Sequence, residues 1–170
     1  MSQDKNQFTN ALLKAYEAYF DIKRDIEREN ITLAAEAIFH SRSEKYVLVQ
    51  SAKLWAVETN EYVYFITKEA SSVGEFTKLR DKILEIGMKE IKPHSEHMYS
   101  YITMIYIADS IDNETTKEIE KFSCHKMFLL SLHGWMYFRL AAVDLSKNVI
   151  ITNKRGREVR EIVNKVMQNA

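Results

Sequence analysis

Asn153-Lys154-Arg155-Gly156-Arg157 places three cations at the head of a segment whose later residues, Val159, Ile162, Val163, Val166 and Met167, recur at helical spacing. A helix N-terminus carries partial positive charge and disfavours cations by roughly 0.3–1 kcal/mol each, so this arrangement calls for something anionic nearby. Backbone N–H groups, a flexible glycine and guanidinium groups together suit a phosphate or carboxylate. Lys154, Arg155 and Arg157 are therefore the candidate anion-binding residues. Between Lys147 and Ala170, six basic side chains face two acidic ones. A solvated basic turn with Arg157 paired to Glu161 would explain the same residues without any ligand.

Two other segments carry metal-ligating types. Pro93-His94-Ser95-Glu96-His97 gathers two imidazoles and a carboxylate, suiting zinc or another transition metal, although the spacing matches no helical HExxH. Asp109-Ser110-Ile111-Asp112 follows an apolar run, where open α/β sheets place ligand crevices, and could hold Mg²⁺ with Asp144. His94, His97, Asp109 and Asp112 form the metal alternative, with helix capping a sufficient reason for Asp112. Restriction-type nucleases need an acid on one strand and acid-x-Lys on the next. Glu58 is followed by Thr59-Asn60, and Asp21-Ile22-Lys23 reads as helical. Cys124 and His125 are adjacent, so on a helix they point about 100° apart and make no nucleophile–base pair.

The four glycines, Gly74, Gly87, Gly134 and Gly156, are scattered, which excludes both the GxGxxG dinucleotide turn and the GxxxxGK[ST] phosphate loop. Aromatic side chains are abundant, in the set Tyr99, Tyr101 and Tyr106 and in the set Trp55, Tyr62, Tyr64 and Phe65. Side chains alternate across a strand, so part of these sets lies on the wetter face as a stacking or partner surface, or all of them pack beneath helices. Packing beneath helices is the favoured reading, and if one face is open, Glu61 beside Tyr62 and Tyr64 makes theirs the better candidate.

The elements that must position these residues follow from periodicity. Phe8, Leu12, Tyr16, Tyr19 and Ile26 predict an amphipathic helix from Phe8 to Ile26. Segments 31–39, 46–50, 54–57 and 62–67 read as an antiparallel meander with a turn at Thr59-Asn60-Glu61. Ser72 with Glu75 is a capping box opening a second helix, with Gly87 at its C-cap. Met98 to Ala108 is continuously apolar, predicting a central strand covered on both faces. A third helix runs from Asp112 or Asn113 to residue 131 with Ile119, Phe122, Met127 and Leu130 inward, ended by Gly134. Residues 137–145 and 149–152 form a hairpin around Ser146-Lys147-Asn148 before the last helix. Strand 98–108, helix 113–131 and strand 137–145 make a right-handed βαβ crossover. The fold class is α+β: a largely antiparallel sheet with one βαβ crossover and about four helices, in one domain spanning 1–170.

The 170 residues comprise 24 basic and 24 acidic side chains, so no global field draws the chain to nucleic acid or anionic membrane, and any such attraction must be local. Cys124 is the single cysteine, which excludes an intramolecular disulfide and suits a reducing cytoplasm. Neither a signal segment nor an apolar run of about 18 residues is present, so no membrane partner is expected.

Ser43-Glu44-Lys45-Tyr46-Val47-Leu48, Leu54-Trp55, His97-Met98-Tyr99-Ser100-Tyr101 and Asn153-Lys154 with Gly156 resemble small single-domain proteins of unknown function from anaerobic, spore-forming Firmicutes-like bacteria. The resemblance spans most of the chain and implies a stand-alone bacterial cytoplasmic protein. It carries no residue roles. The expected function is a noncatalytic binding or assembly protein, compatible with a homodimer, taking a small anionic ligand at the basic turn and no cofactor. The alternative is a metal-dependent hydrolase or nuclease-like enzyme using Asp109 and Asp112 or the His94/His97 loop.

Overall fold

Asp4 begins the first helix by accepting from the Asn6 N–H at 2.9 Å, and α1 runs Lys5–Tyr16. The structure, a computed structural model, describes residues 4–46 and 53–169. Phe8, Leu12, Leu13 and Tyr16 are buried along one stripe of α1. The chain then leaves the helix, correcting the expected helix to Ile26: Asp21–Arg28 is strand β1. Ile22 and Ile26, four apart, satisfy helical spacing and strand parity alike, so pattern could not separate them. Asp25, at φ +49°, turns the strand so that Ile22 packs on one side of the sheet and Ile26 on the other. Glu29 and Asn30, both at positive φ, form the two-residue turn into β2, Ile31–Tyr46.

Strand β3 spans Lys53–Lys68 and pairs antiparallel with β2. Thr59-Asn60-Glu61 therefore lies inside a long strand rather than at a turn, and part of the expected strand 46–50 lies outside the described residues. The capping box holds as read: Ser72 Oγ accepts from Glu75 N, while the Glu75 carboxylate accepts from Ser72 N, at the head of α2, Val73–Glu90. Gly87 is inside α2 rather than at its end, and glycine suits it because a Cβ there would meet Ile102 side-chain atoms at 2.7 Å.

Strand β4, His97–Ala108, pairs parallel with β3, and helix α3, Asn113–Lys121, leads on to β5, His125–Met127, and β6, Trp135–Asp144. Strand β6 pairs parallel with β4, as the expected crossover requires. The step from β3 through α2 to β4 is a second βαβ unit, in addition to the one expected. Both crossover helices lie on the same face, as two crossovers of like hand moving in one direction must. Helix α3 ends ten residues early: Met127, expected inward, is on β5, and Leu130 is exposed in the following loop. Strand β7, Val149–Thr152, closes the predicted hairpin with Asn148 at φ +53°, and α4, Arg157–Asn169, ends the fold.

Among the described residues the sheet is seven-stranded and mixed, mostly antiparallel, in the order β1-β2-β3-β4-β6, with β5 and β7 sharing the free edge of β6. The class is α+β. Phe76, Ile83 and Ile86 of α2 and Ile119 of α3 cover one face against Tyr64, Ile66, Met104, Tyr106 and Phe138. On the other, α1 and Val159 and Val163 of α4 cover Val63, Phe65, Ile105, Ile107, Ala141 and Val143. Burying each of these large side chains contributes about 1.5–3 kcal/mol, which fixes the helices over the C-terminal half of the central strands. Among the described residues no helix is long and apolar enough to cross a membrane.

Candidate functional site

On the α1/α4 side the helices stop short, and the N-terminal half of the sheet keeps a row of half-exposed rings. Odd-numbered residues of β4 and β6 share this face in register: Tyr99 opposite Trp135, Tyr101 opposite Tyr137, Thr103 opposite Arg139. Strand β5 extends both rows, with Met127 opposite Trp135 and His125 opposite Tyr137. Tyr99 and Trp135 stack with centroids 6.3 Å apart, Tyr101 and Tyr137 at 6.4 Å, and His125 lies 4.4 Å from Tyr137. A hollow of about 270 Å³ is bounded by His125, Met127, Ser131, Trp135 and Tyr137.

Two guanidinium groups border this platform. Arg139 is buried, lies 3.3 Å over the Tyr101 ring, and pairs with Glu61 at 2.9 Å and Glu158 at 2.6 Å. Burial raises the Tyr101 phenol above its ordinary range although Arg139 opposes the shift, so the ring stays a neutral stacking surface. Arg155 lies 3.8 Å over the Tyr137 ring and 3.4 Å from Glu158. The turn carrying Arg155 is pinned by buried Asn153, whose Oδ1 accepts from Leu140 N at 3.0 Å and Gly156 N at 2.7 Å. Its Nδ2 donates to the Phe122 and Phe138 carbonyls. Gly156 permits this close approach, since a Cβ would fall 2.0 Å from the Leu140 oxygen.

The candidate anion residues thus sit at the platform's rim. Arg155 joins it, while Lys154 and Arg157 are exposed. The N–H groups of Gly156, Glu158, Val159 and Arg160 already have protein acceptors, so the charge is offered by side chains rather than by a backbone cradle. Arg157 is not paired with Glu161, which bonds Lys165 instead.

The His94 and His97 rings lie 6.3 Å apart, but each metal candidate is engaged by a protein partner. His97 is buried, donating from Nδ1 to the His133 carbonyl at 2.6 Å and accepting the Ser100 hydroxyl at Nε2 at 2.8 Å. His94 bonds Glu58 through Nε2 at 3.1 Å and the Glu96 N–H through Nδ1. Asp109 pairs with Lys5 at 2.8 Å and Asp112 caps α3 through Thr115 N at 2.6 Å. Buried Asp144 accepts from Ile111 N, Ser146 Oγ and Lys147 N; these bonds and the Lys147 ammonium outweigh burial and hold its carboxyl below the usual range. Among the described residues no cluster of three or more His, Cys, Asp or Glu side chains is placed to hold a metal. Asp21-Ile22-Lys23 lies on β1, correcting its helical reading. Lys23 is opposite Glu36, whose buried carboxylate is 3.6 Å from Arg28.

The favoured reading, aromatics packed beneath helices, holds for Tyr62 and Tyr64, so the candidate for an open face was the wrong one: Tyr99 and Tyr101 are half-exposed instead. Tyr62 and Tyr64 are buried under α2, and burial pushes the Tyr62 phenol up to about 12. Sequence reasoning also missed Arg139 and Glu61, a pair 78 residues apart whose only sequence signal was an arginine inside an apolar run.

A family model described as a domain of unknown function (DUF8052) matches residues 4–165. The chain belongs to the DUF8052 family. That match takes in every element from α1 to β7 and most of α4, and with them the whole aromatic platform and the basic turn. No curated protein and no solved structure matches the chain.

Proposed function

We propose that this DUF8052 member is a noncatalytic binding protein whose open half-sheet takes a planar, anionic small ligand. The observation that carries the reading is the registered grid of Tyr99, Trp135, Tyr101, Tyr137 and His125 beside the Arg155 turn. Ring faces accept flat ligands by stacking, and a guanidinium at their edge meets a phosphate or carboxylate. Placement in a bacterial cytoplasm is supported by the single cysteine and the sequence resemblance. The hydrolase alternative gains no comparable support, since His94, His97, Asp109 and Asp112 each answer a protein partner.

Native mass spectrometry of protein purified without chelator reads subunit count and any retained mass. Binding is then followed by tryptophan fluorescence of a Trp55→Phe variant, leaving Trp135 as the reporter. Adenosine monophosphate serves as a planar anion and inorganic phosphate as an anion without a ring. Adenosine monophosphate is expected to bind the better of the two, and Arg155→Glu to weaken it about ten-fold or more without changing the melting temperature. Binding that Arg155→Glu leaves unchanged removes the turn from the site. A bare dimer dissolved by Tyr137→Ala, with neither probe bound, reassigns the face to homodimer assembly.

A further inference from the structure

Leu129, Leu130 and Ser131 have φ values of +46°, +50° and +70°, three consecutive non-glycine residues in the left-handed region. Side-chain-bearing residues adopt that backbone at a cost, and runs of them persist only where surrounding bonds impose it. Those bonds are present: Phe128 N to Gly134 O at 2.9 Å, Leu132 N to Leu129 O at 2.9 Å, His133 N to Phe128 O at 3.1 Å, and the buried His97 Nδ1–H on the His133 carbonyl. Phe128 anchors the loop by packing edge-on to the His97 ring. The result of this enforced geometry is exposure. Leu130 is 91% exposed, Leu132 72%, Leu129 61% and Met127 57%, with Met98 beside them at 41%. Of the seven large hydrophobic side chains exposed among the described residues, these five are gathered at one end of the sheet.

We infer that residues 127–132 form a membrane-interface anchor, inserting their leucines shallowly into an anionic lipid surface. Charge is the first support. From Lys121 to Val143 the chain contains no Asp or Glu, and the exposed Lys126, with Lys121 beyond it paired to Glu118, precedes the leucines. Leucines at a tip, Trp and Tyr behind them and a cation beside them are the chemical order of a bilayer boundary from acyl chain to headgroup. Trp135 and Tyr137, which line the hollow with Met127 and Ser131, supply the middle layer. Extent is the second support: a stable protein interface takes about 20–30 residues a side, whereas shallow insertion needs only a few apolar side chains. The overall charge balance that spoke against a membrane partner is a whole-chain property, and this attraction is local.

The test is co-sedimentation of the full chain with vesicles of equimolar phosphatidylglycerol and phosphatidylcholine, beside vesicles of phosphatidylcholine alone. The wild type is expected to pellet with the anionic vesicles, less so as salt rises. The Leu129→Ser/Leu130→Ser variant, substituted only at exposed positions, is expected to keep its melting temperature and lose about ten-fold or more of the partitioning. Lys126→Glu is expected to weaken it without touching the leucines. Wild-type protein that stays in solution with both vesicles overturns the inference, as does equal pelleting of the leucine variant. Lipid-free oligomers that the leucine variant dissolves, with no vesicle binding, also overturn it and identify the tip as a contact between copies.

Discussion

The guanidinium of Arg155 lies 3.8 Å above the ring of Tyr137, so the basic turn before the last helix and the aromatic face of the sheet are one surface. Neither feature alone defines a ligand: a basic turn is ordinarily solvated, and an aromatic strand ordinarily packs. Their contact places positive charge at the edge of a stacking platform.

Arg139 is held between Glu61 and Glu158 over Tyr101. Arg139→Met removes the only cation within ion-pair distance of Glu61 among the described residues and leaves that half-buried carboxylate unpaired. The expected loss is about 2–3 kcal/mol, below the range for a fully buried pair because Glu158 reaches solvent. Urea denaturation measures it, and Glu61→Gln in the same background is expected to recover part of the loss.

Gly134 has φ +76°, and a Cβ there would lie 2.2 Å from the Met98 carbonyl oxygen. Gly134→Ala is expected to cost about 2 kcal/mol or more, since backbone rather than a flexible side chain must yield. Gly74, in the first turn of α2, has nothing within 4 Å of its Cβ position. Gly74→Ala is expected to gain about 0.5 kcal/mol by helix propensity. Paired thermal melts give the two signs.

Among the described residues the buried Tyr64 hydroxyl has no hydrogen-bond partner, and the Glu36 carboxylate on the neighbouring strand has none either, only the Arg28 guanidinium 3.6 Å away. Burying an unbonded polar group costs free energy that removal of the group returns. Tyr64→Phe is expected to leave stability unchanged or raise it by about 1 kcal/mol. A loss of similar size would reveal a bridging water on the hydroxyl.

Hydrogen bonds from Lys82 and Lys89 lower the Glu29 carboxyl to about 2. The native carboxylate binds its proton less readily than the unfolded one, so its stabilising effect is present above the ordinary carboxylate pKa. It is lost as pH falls from about 4.5 toward about 2. Glu29→Gln is expected to flatten the acid limb of the melting-temperature profile across that window. An unchanged limb would mean that these bonds are open in solution.

Local chemistry was legible in the sequence where it stands alone. Ser72 and Glu75 cap α2 whatever lies around them, Ser146-Lys147-Asn148 turns the β6–β7 hairpin, and the mostly apolar run 98–108 is central as read, although Tyr99 and Tyr101 leave one of its faces partly open. Composition likewise excluded the glycine-rich phosphate loops. Ile22 and Ile26 fit two periods at once, and only pairing with β2 made their segment a strand. Residues 125–134 carried apolar spacing like that of a helix, and became a strand and a loop because β6 offered an open edge and His97 a hydrogen bond. Which tyrosines met solvent was decided by where α1, α2 and α4 docked, burying Tyr64 and leaving Tyr101 half open. Alternation along a strand determines that two faces exist; which of them is covered depends on helices distant in the chain, and so belongs to the tertiary structure alone.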